Sequence, residues 1–547
     1  MVSPEGAELP QAVARLRDAA AAARLPLELP GVDEARRARR ELVAQLDDYV
    51  LPRLRHPQAP LLAAVGGSTG AGRSTLVNSL VGREVSPAGV LRPTTRVPVL
   101  VCRAHDRPWF SGTRVLPGLR RVAPGPRAAD AGPALVLQVD DRVPAGLAVL
   151  DVPDIDSIDD ANRELAVRLL GAADVWLFVT TAARYADAVP WHLLRVARER
   201  TAELAVVLAR VPETDLDEVR ADFQALLAGA GLGAVPVFTL PETTLNRGLL
   251  SRAQVAPVRN WLYGRATDPD ARATAARRTL GGALDSLPAR SAVVGRAAEG
   301  QHEAASKLAA CVRRSYAAAS RHLDAALGNG ELLAGETLAR CRAWADAGRP
   351  EAGAVDVAHA VAGAAEDLVR DIAERAAGLT ESCWRARLGG AELILATRAG
   401  VVARGADGTV RDPGVPVEDL AAEAAAGWLE QCRAAASEDA SGVASLLVAA
   451  VTADAFETGA PSDVWAGTSA GAPAGAGSGR DDGDALASPD GAVPVADTPR
   501  DALADLRLRA ATVLDAGRDR RLRAVAALRT GPGEGLGEAV DAIRRAG

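Results

Sequence analysis

The chain has 547 residues, a net charge of −7, 48% hydrophobic residues and 24% charged residues. This length allows two or three domains with sizeable cores, and the acidic balance argues against nucleic acid or an anionic membrane as a global partner. Aromatic residues make up only 3%, which favours helices packed through small side chains over a β-rich fold.

Two amphipathic helices are predicted first, at 9–24 and 32–51. Apolar residues recur at helical spacing in the second helix, and Pro52 is expected to end it. We assign both helices to an N-terminal segment, 1–57, which is expected to pack with the helical part further along the chain. This N-terminus lacks the apolar core of a signal peptide, so a cytoplasmic protein is the default expectation.

From 58 to 265, short apolar runs alternate with stretches of helix length. Seven runs have the length and composition of buried strands: LLAAVG (61–66), VPVLVC (97–102), ALVLQV (134–139), GLAVLD (146–151), DVWLFVTT (174–181), ELAVVLA (203–209) and VPVFTL (235–240). Helices are predicted between the later runs, at 158–171, 190–200 and 215–230. This alternation predicts an α/β domain with a mainly parallel sheet and helices on both faces.

The segment 266–456 is predicted to be an all-α stalk domain. One apolar stripe runs through 294, 298, 305, 308, 312, 316, 319 and 323, and further helices are predicted at 331–346, 352–386 and 416–437. The stretch 389–415 is interrupted by Gly and Arg and is expected to be irregular.

Two segments complete the chain. Residues 457–499 are rich in Gly, Ala, Ser, Pro and Asp, which is typical of a disordered linker. The last segment, 500–547, carries an amphipathic helix predicted at 500–528.

The stretch 442–456 is the most apolar one after the α/β segment. A membrane-spanning helix needs about 20 apolar residues. This stretch is shorter and contains Thr452 and Asp454, which favours a buried core helix. Shallow insertion into a membrane surface is the alternative.

The five cysteines are scattered and form neither a C-x-x-C motif nor a Cys/His cluster. The sequence therefore supports neither a zinc site nor a disulfide framework. Lys307 is the only lysine in the chain, so arginine supplies nearly all of the positive charge.

Residues 66–82, GGSTGAGRSTLVNSLVG, differ by one letter from the phosphate-binding pattern G-x-x-x-x-G-K-[ST]. An apolar run precedes the stretch and a helical one follows it, which is the context that such a loop requires. Glycines let backbone N–H groups converge on phosphate oxygens, and the helix N-terminus adds positive potential. The predicted nucleotide-binding residues here are Gly67, Ser68, Thr69, Gly70, Ala71, Gly72, Arg73, Ser74 and Thr75. The hydroxyl of Ser74 is also expected to bind Mg²⁺. The alternative to a phosphate-binding loop is a plain Gly-rich turn between strand and helix.

The second motif is VLRPTTRVPVL, at 90–100. A threonine in a loop before a strand can close over Mg²⁺ and the γ-phosphate as a switch element. We predict that Thr95 is this switch threonine, with Thr94 as the second choice. The alternative to a switch element is an ordinary turn.

The third motif is GLAVLDVPDIDS, at 146–157. Asp151 ends an apolar strand, where an aspartate beside a phosphate loop typically holds Mg²⁺ through water. The expected pattern is D-x-x-G, and Asp154 stands in place of the glycine. Asp154 and Asp156 are candidates for ordering metal or water, and capping of the following helix is the alternative that we favour for Asp156.

A base-reading motif, N/T-K-x-D, is expected after the strand at 204–208. The sequence there is LAVVLARVPETD, with Arg210 at the basic second position and Pro212 where the guanine-pairing aspartate is expected. We predict that Arg210 stacks on a base. Guanine specificity is the part of the chemistry that the sequence supports least.

Together these motifs resemble the dynamin/Era-type branch of the phosphate-loop GTPases, and most closely the actinobacterial dynamin-family GTPases. The resemblance is carried by STLVNSLVG after the loop, RPTTR in the switch, D-x-P-D-x-D-S in the third motif and RYADAVPW at 184–191. It covers about 60–250, and the remaining helices are similar only in layout.

The resemblance implies binding of GTP, dependence on Mg²⁺, hydrolysis of GTP and nucleotide-driven self-association of a helical arm. It assigns catalytic roles to Arg73, Thr95 and Asp151, and metal-binding roles to Ser74, Thr95 and Asp151. A second copy of the chain or a related GTPase is the implied partner, with peripheral contact at the inner face of the cell membrane. Nucleic acid is not expected as a partner.

The arginine at position 73 leaves three hypotheses for the activity of the chain, of which an active GTPase is the first. Arginine keeps the positive charge of the motif's lysine, but its planar fork is larger and needs a different approach to phosphate. In a chain with one lysine the exchange is compatible with drift. Together with the aspartate missing at position 212, it also supports a catalytically impaired pseudo-GTPase that acts as a scaffold. An ATP-binding phosphate-loop protein is the third hypothesis.

Overall fold

The structure is a computed structural model that describes residues 5–88, 97–125, 134–154, 160–186, 191, 194, 203–398, 401–405, 408–411, 415–436, 439–457 and 498–546. Contacts divide the chain into two compact units. The first comprises Met1–Leu25, Gly31–Glu299 and Pro532–Gly547, and the second comprises Pro26–Pro30 and Gly300–Gly531. The five segments predicted from the sequence stay a prediction, and the linker among them lies almost wholly outside the described residues.

The first unit is built around an eight-stranded sheet. Its strands are β1 (Leu61–Gly67), β2 (Val99–Cys102), β3 (Arg120–Val122), β4 (Ala134–Val139), β5 (Leu147–Asp151), β6 (Val175–Thr181), β7 (Glu203–Val211) and β8 (Val237–Pro241). Their order is β3-β4-β2-β5-β1-β6-β7-β8. Every neighbouring pair is parallel except β2 with β5. The predicted α/β domain with a mainly parallel sheet is confirmed, and the three-residue strand β3 is an addition to it.

The helices of the chain follow in order. They are α1 (Glu5–Ala22), α2 (Val32–Gln45), α3 (Leu51–Arg55), α4 (Arg73–Val81), α5 (Arg107–Phe110), α6 (Asp160–Gly171), α7 (Leu216–Gly229), α8 (Arg252–Thr267), α9 (Pro269–Gly328), α10 (Gly335–Asp346), α11 (Ala354–Arg385), α12 (Gly390–Arg398), α13 (Val417–Ala435), α14 (Ala440–Glu457), α15 (Pro499–Ala526) and α16 (Glu534–Ala546). Short 3₁₀ turns lie at Ala104–Asp106, Glu213–Asp215 and Glu331–Leu333, and a π-helical turn lies at Leu46–Val50.

Successive side chains of a strand point to opposite faces of the sheet. Both faces of this sheet are apolar, and helices cover both of them. Leu61, Ala63 and Val65 enter a core that includes residues of α4 and α8. Leu62 and Ala64 enter a second core that includes residues of α6 and α7. β1 is buried along its whole length, so it is a central strand that holds the loop after Gly67 in a fixed place.

The helices before the sheet continue further than the sequence indicated. Pro52 was expected to end the second helix, but the chain passes through the π-helical turn Leu46–Val50 and goes on to Arg55. Pro52 is the second residue of α3 and follows the π-helical turn directly. In the first unit, α1 and α2 share a core with α9 and α16.

In the second unit, helices surround one large core. The predicted stripe is buried along α9: its positions from 305 to 323 lie in this core, whereas 294 and 298 belong to the first unit. The indole rings of Trp384 and Trp428 are fully buried. The predicted buried helix at 442–456 is confirmed, because Leu447, Ala450 and Val451 of α14 lie inside this core.

The stretch 389–415 differs from the prediction. It contains α12 and a two-stranded antiparallel hairpin, β9 (Val401–Gly405) with β10 (Gly408–Arg411). The expectations of irregular chain there, and of helices alone from 266 to 456, are therefore wrong at this hairpin. The strand sequences, VVARG and GTVR, are short and lack a sustained alternation of apolar and polar residues, so the sequence gives little indication of this hairpin.

Cys311 of α9 and Cys383 of α11 form a disulfide, with their Cα atoms 6.0 Å apart. The expectation of no disulfide is wrong for this pair. The two cysteines are separated by 72 residues and meet only because two long helices pack together. Cys102, Cys341 and Cys432 are free and buried.

No single helix in the described parts of the chain is long and apolar enough to cross a membrane. One pair, Val417–Ala435 with Ala440–Thr452, meets the length and composition criteria only when both helices are taken together, and it is bent by 120°.

Candidate functional site

The loop after β1 requires glycine where the sequence has it. Gly67 has a φ of 151°, and a Cβ placed on it would overlap the carbonyl oxygen of Val179 in β6. The amide of Ser68 donates to that same carbonyl at 3.3 Å. Gly70 and Gly72 have φ values of 77° and 93°, in the left-handed region where side chains other than glycine are strained. The backbone therefore turns tightly from the strand into the following helix.

Helix α4 begins directly after this turn, so the loop and the helix N-terminus form one surface. Gly72 is the N-cap residue, and its carbonyl accepts the amide hydrogen of Leu76 at 2.8 Å. The structure thus brings together all predicted residues from Gly67 to Thr75. Their side chains differ in exposure: Ser68, Ala71, Arg73 and Ser74 are buried, whereas Thr69 and Thr75 are half-buried.

The third motif lies beside the loop because β5 runs parallel to β1, with Val65 opposite Asp151. The hydroxyl of Ser74 donates to Oδ2 of Asp151 at 2.6 Å. The hydroxyl of Ser86 donates to the same oxygen at 2.5 Å. Asp151 is fully buried, and its Oδ1 has no hydrogen-bond partner among the residues that the structure describes.

Ser86 was not predicted from the sequence, and neither was the residue that holds it. Oδ1 of Asn78 accepts the amides of Val85 and Ser86 at 2.8 and 2.9 Å, and its Nδ2 donates to the carbonyl of Ser86 at 2.8 Å. Asn78 is on α4 and is 1% exposed. It fixes the turn after the helix so that the Ser86 hydroxyl reaches Asp151. In the sequence, the asparagine of STLVNSLVG is the residue that could have indicated this ordered turn.

These oxygen atoms fit a magnesium ion. Mg²⁺ prefers oxygen ligands, keeps several waters and takes few protein ligands. Ser74 supplies a hydroxyl, and Asp151 supplies a carboxylate with one buried oxygen left over. Burial raises the pKa of Asp151, while Arg73 and the two hydroxyl donors lower it. In the described part of the chain no group of three or more His, Cys, Asp or Glu residues is placed to hold a metal, so the site offers no all-protein cage.

Arg73 does not extend away from the loop. Its Nη1 donates to the carbonyl oxygens of Gly67 and Ser68, and its Nη2 forms an ion pair with Asp154. The two side chains are only 7% and 13% exposed. Nε of Arg73 is buried and finds no acceptor within the described ranges. Asp154, for which metal ordering and helix capping were the predicted alternatives, is thus the partner of Arg73.

Three candidate residues, two from the switch motif and one from the third motif, lie outside the residues that the structure describes. Thr94 and Thr95 belong to the stretch 89–96, and Asp156 belongs to 155–159, which lie outside the described residues. Their predicted roles stay predictions.

Arg210 lies at the same edge of the sheet as the loop. β6 runs parallel to both neighbours, with Val179 opposite Gly67 and Thr181 opposite Ala209. Arg210 follows at a bulge between β7 and β8, has a φ of 54° and is exposed. In parallel sheets, ligands bind beyond the carboxyl ends of the strands. This position is compatible with the predicted stacking of Arg210 on a base, which stays a prediction.

Comparisons with protein-family models and with curated proteins gave no match. Comparison with solved structures found bacterial dynamins. Two are of an oligomerised bacterial dynamin pair described as a mechanism for the long-range sensing and tethering of membranes, and one is LeoA, a bacterial dynamin GTPase from ETEC.

All three structures are distant from this chain. Each is 11% identical to it, with TM-scores of 0.28 and 0.30 for the dynamin pair and 0.25 for LeoA. The alignments with the first two include 59% of this chain. They span 61% and 62% of the lengths of those two proteins. LeoA aligns with 99% of this chain over 93% of its own length. At these values the likeness says nothing about what this chain binds.

Proposed function

We propose that the chain is a dynamin-like, Mg²⁺-dependent GTP-binding protein whose nucleotide phosphates bind at the loop from Gly67 to Ser74. One observation carries this proposal. The glycine geometry of the loop, the start of α4 and the Ser74–Asp151 hydrogen bond converge at the carboxyl edge of a parallel sheet. A plain Gly-rich turn needs neither a fully buried carboxylate nor a hydroxyl aimed at it.

The loop recognises phosphate mainly through its backbone. Its amide groups and the N-terminus of α4 supply partial positive charge that favours an anion. Ser74 and Asp151 would hold Mg²⁺, which neutralises phosphate charge when it is bound. Ser86 and Asn78 keep Asp151 in position. Burial of the carboxylate excludes water from one side of the site.

Hydrolysis of GTP is the next part of the proposal, and we expect it to be slow. In phosphate loops of this kind a lysine reaches the β- and γ-phosphates. Here Arg73 donates to two loop carbonyls and pairs with Asp154 instead. This observation favours a second candidate function, a nucleotide-binding scaffold that turns over poorly.

The larger biological setting of the proposal comes from the resemblance of these motifs to dynamin-family GTPases. That resemblance implies a cytoplasmic protein that self-associates through its helices, or associates with a related GTPase, in peripheral contact with the inner face of the cell membrane. The preference for guanine has the least support from the sequence, because Pro212 stands where the guanine-pairing aspartate is expected. The test therefore includes ATP, so that it can identify an ATP-binding protein.

The test is equilibrium binding of labelled GTP, GDP and ATP with Mg²⁺, followed by phosphate release with and without lipid vesicles. We expect saturable binding that is tighter for guanine nucleotides, and slow phosphate release. Equal affinity for ATP and GTP would contradict guanine specificity. Absence of binding for all three would contradict the proposal as a whole.

A further inference from the structure

The two departures from the phosphate-loop motifs contact each other. Arg73 stands where the first motif has lysine, and Asp154 stands where the third has glycine. They are 81 residues apart in the chain, yet they form an ion pair at the loop. An ion pair between these two residues changes how much negative phosphate charge the site can bind.

The pair changes the charge balance at the end of the loop. A free lysine would present one positive charge to the β- and γ-phosphates. Here the guanidinium of Arg73 is neutralised by the carboxylate of Asp154, and its Nη1 is engaged by the carbonyls of Gly67 and Ser68. The loop amides and the start of α4 are unaffected by this pairing. The β-phosphate of a diphosphate loses the lysine charge but keeps these amides. The γ-phosphate of a triphosphate would depend on the lysine charge more strongly, and it would meet the carboxylate of Asp154 instead.

Burial makes the pair costly to open. Both side chains are largely removed from water, at 7% and 13% exposed. Separating a buried pair leaves an uncompensated charge in a poorly solvated place. A ligand that needs Arg73 must therefore first break this contact, and a ligand that does not need it binds without this penalty.

We infer that the Arg73–Asp154 ion pair makes this site selective for a nucleoside diphosphate over the corresponding triphosphate, with Asp154 as the specificity-determining residue. The inference rests on the proposed nucleotide binding. It names the ligand class that the site holds in its resting state. It also agrees with the slow hydrolysis proposed above, since the triphosphate is the disfavoured ligand.

The experiment compares the dissociation constants of GDP and of a non-hydrolysable GTP analogue, both with Mg²⁺, by calorimetric titration of the full chain. For the wild-type chain we expect GDP to bind at least tenfold more tightly than the analogue. Asp154→Asn keeps the shape of the side chain and removes its charge. We expect it to reduce the ratio at least fivefold, mainly by tightening the analogue. Asp154→Gly restores the residue of the motif and should shift the ratio in the same direction.

The matched control is Asp140→Asn. Asp140 forms an ion pair with Arg83 in the same unit, so the substitution removes the same charge from another Arg–Asp pair. We expect its ratio to stay within twofold of the wild-type ratio.

The possible failures are distinct. If the wild-type chain prefers the triphosphate analogue, or if both Asp154 variants bind GDP normally with an unchanged ratio, the inference is overturned while nucleotide binding stands. If the wild-type chain binds neither ligand, the proposed function fails and the inference fails with it.

Discussion

A buried carboxylate at the opposite edge of the sheet from the loop, where β1 and β6 begin, gives a sharp test of the fold. Asp174 precedes β6 and is fully buried. It accepts the amide of Leu62 at 2.8 Å and the hydroxyl of Tyr49 at 3.1 Å, and it forms an ion pair with Arg53 of α3. Arg53 also donates to the carbonyl of Ala59 at 2.9 Å. The contact therefore joins the helices before the sheet to its central strands.

We predict that Arg53→Met lowers the free energy of unfolding of the first unit by about 3–5 kcal/mol, because it leaves a buried charge unpaired. The control is Arg40→Met. Arg40 pairs with Glu164 at 3.5 Å, and these side chains are 55% and 66% exposed, so its loss should cost less than about 1 kcal/mol.

Urea unfolding measures both variants, and hydrogen exchange of the β1 peptide reports on the Leu62 amide. Asp174→Asn added to Arg53→Met removes the unpaired charge and should restore more than about 1 kcal/mol. If Arg53→Met costs no more than Arg40→Met, the assigned role of the buried pair is refuted.

Three further predictions concern the site and the second unit. Gly67→Ala should destabilise the first unit by at least about 1–3 kcal/mol and abolish nucleotide binding, because the φ of Gly67 and its contact with β6 exclude a side chain. The control is Gly112→Ala, whose added Cβ would meet no atom within 4 Å. It should change neither the urea midpoint nor nucleotide binding. Ser86→Ala removes one of two hydroxyl donors to Asp151 and should cost about 1–2 kcal/mol in urea unfolding, and an unchanged midpoint would contradict the hydrogen bond. Thiol titration of the denatured chain should find three free thiols without reductant and five with it, and five in both samples would exclude the Cys311–Cys383 disulfide.

The sheet and the loop could be predicted from the sequence because their signals are local. β1 is a seven-residue strand buried at every position, so an unbroken apolar run marks it. Gly67 and Gly72 stand at positions where the turn demands glycine. Helix α9 carries a long apolar stripe that the 3.6-residue period shows directly.

The features that the sequence did not predict depend on residues that are distant in the chain. Asp154 reaches Arg73 only because β5 lies beside β1 in the sheet. Ser86 reaches Asp151 through a turn that Asn78 holds in place. Sequence periodicity describes one element at a time, and such contacts follow from the packing of several.

The measurement that tests the central claim most directly is amide hydrogen exchange of the full chain with and without GDP and Mg²⁺. If nucleotide phosphates bind at the loop, peptides that cover 67–76 gain protection, and peptides of the second unit from 300 to 398 do not change. Protection confined to other peptides, or no protection at saturating nucleotide, would contradict the assignment of the phosphate site to Gly67–Ser74.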